Sequence, residues 1–286
     1  MPELTFAAAV RGAAERLAAA GVPDPLVDAE LLAGHVRGLR RGEVQAAMIR
    51  GDALGQRGAE EFDALVSRRA AREPLQHLTG VAPFRQLELA VGPGVFVPRP
   101  ETETVAQFAI DALLADAAPE PIGVDLCTGS GAIALAMATE VPHSRIFAVE
   151  LSADAYAWAA RNTADAENLS LVQGDLADTL DELDGTASVV ISNPPYVPDD
   201  AVPRDPEVRL HDPAMALYGG PDGLDIVRVL SSRALRLLRP GGLLVIEHGE
   251  LQGAEIRSLL VSDGWRGTAT HRDLTQRDRA TTAVRP

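Results

Sequence analysis

The first eighty residues carry apolar side chains at a spacing close to the 3.6-residue period of an α-helix. Thr5 is placed to cap a first helix that ends near Gly21. Three further helices are predicted at 27–36, 42–48 and 59–72. The pattern therefore predicts a helical N-terminal domain over residues 1–80, a bundle that needs a partner surface or serves as one.

Residues 81–97 change in character and predict a β-hairpin that links two domains. Two apolar runs, FRQLELAV and VFV, flank the turn residues Gly92-Pro93-Gly94. We therefore expect two short strands with their turn at these glycines.

From Pro98 onward, strand-like and helix-like patterns alternate. Strands are predicted at 122–126, 145–149, 169–173, 187–192 and 243–247, and helices at 98–117, 131–139, 152–163 and 224–238. After Glu250 we predict one more helix and two strands. This alternation predicts an α/β catalytic domain over 98–286, with a Rossmann-like, mostly parallel sheet and helices on both faces.

Composition narrows the class of protein. The net charge is −15, which argues against stable binding of nucleic acid because phosphate contacts need basic surface. The single cysteine, Cys127, excludes a disulfide framework within one chain. We expect a protein of the cytoplasm, because the start lacks signal-peptide features and no apolar run is long enough to cross a bilayer.

The most informative motif is Asn193-Pro194-Pro195-Tyr196, directly after the predicted strand 187–192. The Asn193 oxygen and the Pro194 carbonyl can each accept one N–H bond from a planar NH2 group, while the aromatic ring packs on its face. Proline fixes φ and removes a competing donor, so that carbonyl is held in place. This pattern favours methyl transfer to nitrogen; the alternative is an ordinary proline-rich turn that closes a strand.

A glycine-containing loop, Asp125 to Gly131, lies between a predicted strand and its helix. Ligands bind beside such loops at the carboxyl ends of parallel strands, and Glu150, at the end of the next strand, is placed to accept bonds from ribose hydroxyls. Gly129 to Ala134 also satisfies the dinucleotide pattern G-x-G-x-x-[GA]. A tight strand-to-helix turn that binds no ligand is a further alternative.

Two features favour S-adenosylmethionine over a nicotinamide cofactor. Asp125 precedes the glycines, where it could bond the methionine part of the cofactor. Asp175 ends the following strand and could accept from an adenine amino group, with Leu176 on the ring; a plain Gly-Asp turn is the alternative. With Asn193 ending the fourth strand, these polar residues predict one crevice.

These residues resemble a known family, the release-factor glutamine methyltransferases of the PrmC/HemK type. The resemblance covers nearly the whole length and is most specific in the segment 97–103, VPRPETE, upstream of the glycine loop. It also includes 73–80, 125–131, 192–196, 220–224 and 239–242. It implies methylation of the side-chain amide nitrogen of the glutamine in the Gly-Gly-Gln loop of class 1 peptide-chain release factors, with S-adenosylmethionine as donor and S-adenosylhomocysteine as product.

By position, the resemblance assigns roles to the residues. Cofactor contacts would come from Asp125, Cys127, Thr128, Gly129, Ser130, Gly131, Glu150, Asp175, Leu176 and Asn193, and substrate contacts from Asn193, Pro194, Pro195 and Tyr196. Arg99 could reach substrate or gate the cofactor, or it could pair with a nearby carboxylate. This sequence departs from the family pattern at Cys127, where many members have glycine, and at His211-Asp212-Pro213.

Three other functions are weighed against this one. A DNA adenine or ribosomal-RNA guanine methyltransferase would use a similar turn but needs a surface for polyanions. A nicotinamide dehydrogenase leaves the motif at Asn193 unexplained, and a silent adaptor would bind cofactor without turnover. We expect no metal, no membrane contact and a monomer, and we expect His77 and His248 to be structural.

Overall fold

The computed structural model describes residues 4–286, and this part of the chain divides into two compact units. One unit contains the chain up to Val81 together with residues 203–211. The other contains Ala82–Val202 and Asp212–Pro286. Within residues 4–286, no helix is long and apolar enough to cross a membrane.

The first unit is helical. Its helices are α1 Phe6–Ala19, α2 Pro25–Arg37, α3 Arg41–Arg50, α4 Gln56–Ala70, α5 Leu75–Thr79 and, from the later segment, α9 Pro206–His211. The predicted cap is confirmed, since the Thr5 hydroxyl accepts from the backbone N–H of Ala8 at 3.3 Å. Leu17, Leu32 and Val66 are fully buried, so the apolar stripes of α1, α2 and α4 form one core. The short helices α5 and α9 were not predicted.

Buried charges attach residues 203–211 to the rest of this unit. Arg69 Nη2 lies 2.8 Å from Glu207 Oε1, and Arg69 Nε lies 2.7 Å from Asp28 Oδ2. Arg72 Nη2 lies 2.9 Å from the same Glu207 oxygen. Because these side chains are largely buried, the pairs are weakly screened by solvent.

A two-stranded hairpin begins the second unit, but its predicted turn was wrong. The strands are β1 Val81–Phe84 and β2 Leu87–Ala90, joined at Arg85-Gln86. Arg85 adopts φ +54° and donates two bonds to Glu140, which holds it in this turn. Gly92 instead packs on the indole of Trp158, where an added Cβ would lie 2.6 Å from the ring.

The predicted α/β fold is confirmed by a seven-stranded sheet with the order β5-β4-β3-β6-β7-β9-β8. The first five strands in this order are parallel, and β9 is antiparallel to both neighbours. The strands are β3 Ile122–Leu126, β4 Arg145–Glu150, β5 Leu169–Gln173, β6 Ala187–Ser192, β7 Leu238–Glu247, β8 Arg266–Arg272 and β9 Asp278–Val284.

Helices cover both faces of this sheet. They are α6 Pro100–Ala115, α7 Ala132–Glu140, α8 Ala153–Thr163, α10 Ala214–Leu217, α11 Asp225–Leu237 and α12 Gly253–Ser262, with a 3₁₀ turn at Asp181–Leu183. Strand β6 is buried along its whole length, with Val189 and Ile191 in the core under α6 and α7, and Val190 in the core under α11. Such continuous apolar runs are expected of parallel strands covered on both faces.

Strand β7 begins five residues earlier than predicted. Ala187 pairs with Leu238 and Val189 with Leu243, so the register shifts across Arg239 to Gly242. The glycines that were expected to end a helix instead form an irregularity inside the strand, where Gly241 takes φ +77°.

Candidate active site

The site is built where neighbouring parallel strands end. Leu126 pairs with Val149 and with Ser192, so Cys127, Glu150 and Asn193 all lie at the carboxyl edge of the sheet. Strand β3 lies between β4 and β6, and the chain order reverses there. Ligands of open α/β sheets bind at such a switch point.

The loop after β3 is a left-handed turn held by a hydrogen bond from α8. Cys127, Gly129 and Gly131 have φ values of +63°, +60° and +84°. The carbonyl of Ser130 accepts from the Asn162 side chain at 2.9 Å. The turn is therefore anchored independently of any ligand.

The two glycines of this loop serve different purposes. A Cβ on Gly131 would lie 3.1 Å from Thr163, so this glycine allows α7 and α8 to pack closely. A Cβ on Gly129 would meet no described atom within 4 Å. Gly129 therefore leaves room for a ligand to approach the backbone.

Glu150 ties the loop to the end of β4. One carboxylate oxygen accepts from the backbone N–H of Gly129 at 2.8 Å and the other from that of Ser152 at 2.8 Å. Burial raises the pKa of this carboxyl, while the backbone bonds oppose the rise. Each carboxylate oxygen has a further lone pair that could accept from a ribose hydroxyl.

Asp125 is fully buried beneath the same loop. Its Oδ2 accepts from the Thr128 hydroxyl at 2.5 Å and from the Ala134 N–H at 3.1 Å. Its Oδ1 has no hydrogen-bond partner among residues 4–286, and burial raises the pKa of the carboxyl to about 7. An orphaned carboxylate oxygen next to an open glycine turn fits a cofactor that carries positive charge, as S-adenosylmethionine does.

Strand β5 ends beside Glu150, because Glu150 pairs with Gln173 and its carbonyl accepts from Gly174 at 2.9 Å. Asp175 is exposed and its Oδ1 accepts from the Ala177 N–H at 2.9 Å, which is an Asx turn. Leu176 is buried in the core under α11. The Asp175 carboxylate thus remains accessible at the sheet edge.

The motif at Asn193 follows β6 without a break. The Ser192 hydroxyl donates to the Leu126 carbonyl at 2.5 Å, which joins this motif to the glycine loop. Asn193 is half-buried, and its Nδ2 lies 3.5 Å from Thr102 Oγ1 in the first turn of α6. Pro194 is buried, while Pro195 and Tyr196 are partly exposed.

The Pro195 and Tyr196 carbonyl groups of this motif are in close contact with neighbouring residues. The Tyr196 carbonyl accepts from Gln252 Nε2 at 2.9 Å. A Cβ on Gly219 would lie 2.5 Å from the Pro195 oxygen, and one on Gly223 would lie 2.3 Å from the Tyr196 oxygen. Both positions therefore need glycine for the motif to keep its path, a role that was not predicted although Gly223 belongs to the segment 220–224.

The Tyr196 phenol is not a candidate base. Burial raises its pKa to about 12, and the charge of Glu247 acts in the same direction. The side chain therefore stays neutral near pH 7 and can offer an aromatic face.

Of the alternatives for Arg99, the structure shows the ion pair. Arg99 Nη2 lies 2.7 Å from Asp212 Oδ2, and the Arg99 guanidinium lies 5.0 Å from the centre of the Phe96 ring. The Asp212 side chain has no exposed surface. The pair joins the segment 97–103 to the unusual His211-Asp212-Pro213.

Two other polar residues lie near the site: His248, whose role is structural, and Glu247. His248 is fully buried, with Nε2 2.9 Å from Thr281 Oγ1 and Nδ1 2.8 Å from the Gly249 carbonyl oxygen. Glu247 ends β7, and burial raises its pKa to about 7. Throughout residues 4–286, no cluster of three His, Cys, Asp or Glu side chains could hold a metal ion.

Two family models match the chain. The PrmC N-terminal domain matches residues 8–80, and the methyltransferase small domain matches residues 86–211. Curated relatives named release factor glutamine methyltransferase match at 39 to 51% identity. The one from Streptomyces coelicolor is 51% identical over 96% of this chain and 96% of its own.

Two further proteins extend the comparison. A 4-amino-L-phenylalanine/4-methylamino-L-phenylalanine methyltransferase of Streptomyces pristinaespiralis is 38% identical over 98% of this chain and 95% of its own. Among solved structures, the hMettl16 catalytic domain in complex with the MAT2A 3′UTR hairpin 6 superposes with a TM-score of 0.56 at 14% identity, covering 77% of this chain and 81% of that one. The latter likeness shows a methyltransferase fold.

Proposed function

The chain belongs to the release factor glutamine methyltransferase family, and from that membership we propose that it methylates the side-chain amide nitrogen of the glutamine in the Gly-Gly-Gln loop of class 1 peptide-chain release factors. The methyl donor is S-adenosylmethionine and the product is S-adenosylhomocysteine. The reaction belongs in the cytoplasm, where release factors meet the ribosome. We propose the helical residues 1–80 as the part that recognises the release factor, 81–97 as the linker and 98–286 as the catalytic domain.

One observation carries the proposal for the site. The pairing of Leu126 with Ser192 brings the glycine loop and Asn193 to the same edge of the sheet, at its switch point. A cofactor held by the glycine loop and a nitrogen held by Asn193 would therefore meet. Within this arrangement we assign Asp125 and Glu150 to the cofactor, with Cys127 to Gly131, Asp175 and Leu176 around it.

The reaction depends on alignment of the amide nitrogen with the methyl group more than on a general base. An amide nitrogen is a weak nucleophile because its lone pair is delocalised, and it is not readily deprotonated near pH 7. When bound, S-adenosylmethionine supplies a methyl group on a positively charged sulfur. Asn193 Oδ1 and the Pro194 carbonyl accept the two N–H bonds and orient the nitrogen in the correct direction.

These acceptors do more in the transition state than in the ground state. Positive charge develops on the nitrogen as the new bond forms, so both hydrogen bonds strengthen. The contacts of the Pro195 and Tyr196 carbonyls hold the chain that follows these acceptors. The proton leaves to water afterwards, so no residue is assigned as general base.

The alternative of a DNA adenine or ribosomal-RNA guanine methyltransferase is not favoured. The curated relatives at 39 to 51% identity are named for release factors, and the net charge of −15 offers little attraction for polyanions. The relative named for 4-amino-L-phenylalanine is the reason to include a free aromatic amine as a substrate in the test.

The test is a methyl-transfer assay with labelled S-adenosylmethionine. It offers in parallel a purified class 1 release factor, the same factor with its loop Gln→Ala, ribosomal RNA, DNA and 4-amino-L-phenylalanine. Label that enters only the intact release factor supports the proposal and locates the methyl group. Label in RNA, DNA or the free amine, with none in the release factor, would overturn it.

A further inference from the structure

We propose that Thr102 and Glu247 are positioning residues that fix which way the Asn193 side-chain amide faces. The inference rests on the proposed function, since it concerns the group that would hold the substrate nitrogen. It adds two residues that do not themselves touch the substrate. Both lie on rigid elements: Thr102 in the first turn of α6 and Glu247 at the last position of β7.

The sheet brings these residues together. Ser192 pairs with Ile246 in the parallel ladder, so the next residues along the chain, Asn193 and Glu247, lie side by side at the carboxyl edge of the sheet. Thr102 is 4% exposed and Glu247 is 2% exposed. Thr102 Oγ1 lies 3.5 Å from Asn193 Nδ2. Burial raises the pKa of Glu247, and the Thr102 hydroxyl opposes that rise, as a donor to the carboxylate does.

The direction of this chain of hydrogen bonds follows from the donor inventory. An ionised carboxylate can only accept, so the single hydrogen of the Thr102 hydroxyl goes to Glu247. The Thr102 oxygen is then an acceptor toward Asn193, and it selects the NH2 side of that amide. Asn193 Oδ1 consequently faces away from Thr102 and is free to accept from the substrate.

The reverse arrangement would disable the site. If the Thr102 hydrogen pointed to Asn193, the amide would turn over and present its own NH2 to the NH2 of the substrate. Two donors would then face each other without an acceptor. The 3.5 Å separation is at the long end of the range for a hydrogen bond.

Glu247 has the environment that this role needs. One of its oxygens, Oε2, is buried without a hydrogen-bond partner among residues 4–286. Arg279 of β9 favours the ionised form, while Glu101 of α6 and Asp273 oppose it, and burial raises the pKa to about 7. A buried carboxylate oxygen without a hydrogen-bond partner points to a functional reason for its presence.

The experiment compares substitutions of Thr102 at pH 8.5, where Glu247 is ionised. Thr102→Val keeps the shape but removes the hydroxyl, and Thr102→Ser restores it. Thr104→Val makes the same chemical change two residues along α6, outside the site. Turnover with the release factor, the dissociation constant for S-adenosylmethionine by calorimetry and the thermal midpoint are measured for each.

We expect Thr102→Val to lower kcat on the order of 10- to 100-fold, because the acceptor is no longer oriented. Its affinity for S-adenosylmethionine should change less than threefold, Thr102→Ser should recover most of the turnover, and Thr104→Val should resemble the wild type. Full activity in a folded Thr102→Val protein would overturn the inference. Loss of activity that Thr102→Ser does not restore would also overturn it.

A double substitution tests the route from Glu247. Glu247→Leu alone should lower kcat, and combining it with Thr102→Val should add little, because both act through the same amide. Losses that multiply would show that Glu247 acts by another route and would overturn its assignment. Wild-type protein that does not methylate the release factor would instead refute the proposed function, so the two failures are distinguishable.

Discussion

Arg69 and Glu207 form a buried ion pair, with 2.8 Å between Nη2 and Oε1, although one residue comes from α4 and the other from the segment between β6 and α11. The Arg69 side chain is 5% exposed and also bonds Asp28. Burial raises the pKa of Asp28, and the Arg69 guanidinium opposes that rise. Arg69 thus compensates the buried Asp28 carboxylate and shares the compensation of Glu207 with Arg72.

Removal of this arginine should destabilise the first unit. Arg69→Met leaves the buried Asp28 carboxylate without its arginine and Glu207 with Arg72 alone, and we expect a loss of about 3–5 kcal/mol in the free energy of unfolding at pH 8. Arg16→Met is the control, because the pair of Arg16 with Asp63 is exposed and should contribute less than about 1 kcal/mol. Urea unfolding followed by circular dichroism measures both, and equal losses would contradict the role of burial.

Asn193→Ala should separate binding from transfer. The variant loses the acceptor for the substrate amide, so we expect turnover to fall on the order of 10²- to 10³-fold with cofactor affinity nearly unchanged. Asn168→Ala is the matched control, since its amide bonds the carbonyls of Ala138 and Ser144 away from the site. Unchanged turnover in Asn193→Ala, measured with labelled S-adenosylmethionine, would refute the role assigned to Asn193.

Gly223→Ala should disturb the motif at Tyr196. Gly223 has φ +75°, and an added Cβ would lie 2.3 Å from the Tyr196 carbonyl oxygen. Gly241→Ala provides the same backbone strain, at φ +77°, with no described atom within 4 Å of the new Cβ. Both should lose about 1 kcal/mol of stability from strain, but only Gly223→Ala should lose most of its methyl transfer; equal transfer rates would contradict the close approach.

Cys127→Gly should stabilise the glycine loop slightly. Cys127 adopts φ +63°, where an L residue is strained by about 1–2 kcal/mol. The greater freedom of glycine in the unfolded chain opposes this by about 0.5–1 kcal/mol, so a net gain of up to about 1 kcal/mol is expected. Cys127→Ala keeps the Cβ and should show no gain, which differential scanning calorimetry of both variants can check.

The buried Asp125 and Glu247 carboxyls should each lower the stability of the cofactor-free protein as pH rises from about 4 to 7. Burial raises the pKa of Asp125 and of Glu247 to about 7, above their values in the unfolded chain. In that window the folded state binds more protons than the unfolded state, so the free energy of unfolding decreases with pH. Glu247→Gln removes one of these groups and should flatten the curve of urea midpoint against pH; an unchanged slope would contradict the raised pKa of Glu247.

Much of the fold and the location of the crevice could be predicted from the sequence alone. Strand-to-helix alternation predicted the α/β sheet, and β3, β5 and β6 have the predicted bounds, because continuous apolar runs flanked by turn residues are local signals. Thr5 was identified as a helix cap for the same reason. The order of polar residues at successive strand ends predicted one crevice, since parallel strands end at the same edge.

Other features were decided only by the tertiary structure. The hairpin turns at Arg85-Gln86 because distant partners such as Glu140 hold the arginine, while the glycines at 92 and 94 are needed for contacts with α8. The partners of Arg69, Arg99 and Asn193 come from segments that are distant in sequence. Residues 203–211 belong to the first unit, whereas the residues on either side of them belong to the second. Local sequence patterns indicate which residues are buried and which backbone conformation they prefer. The pairing of buried charged side chains depends on how the elements pack together, and no single segment of the sequence determines that packing.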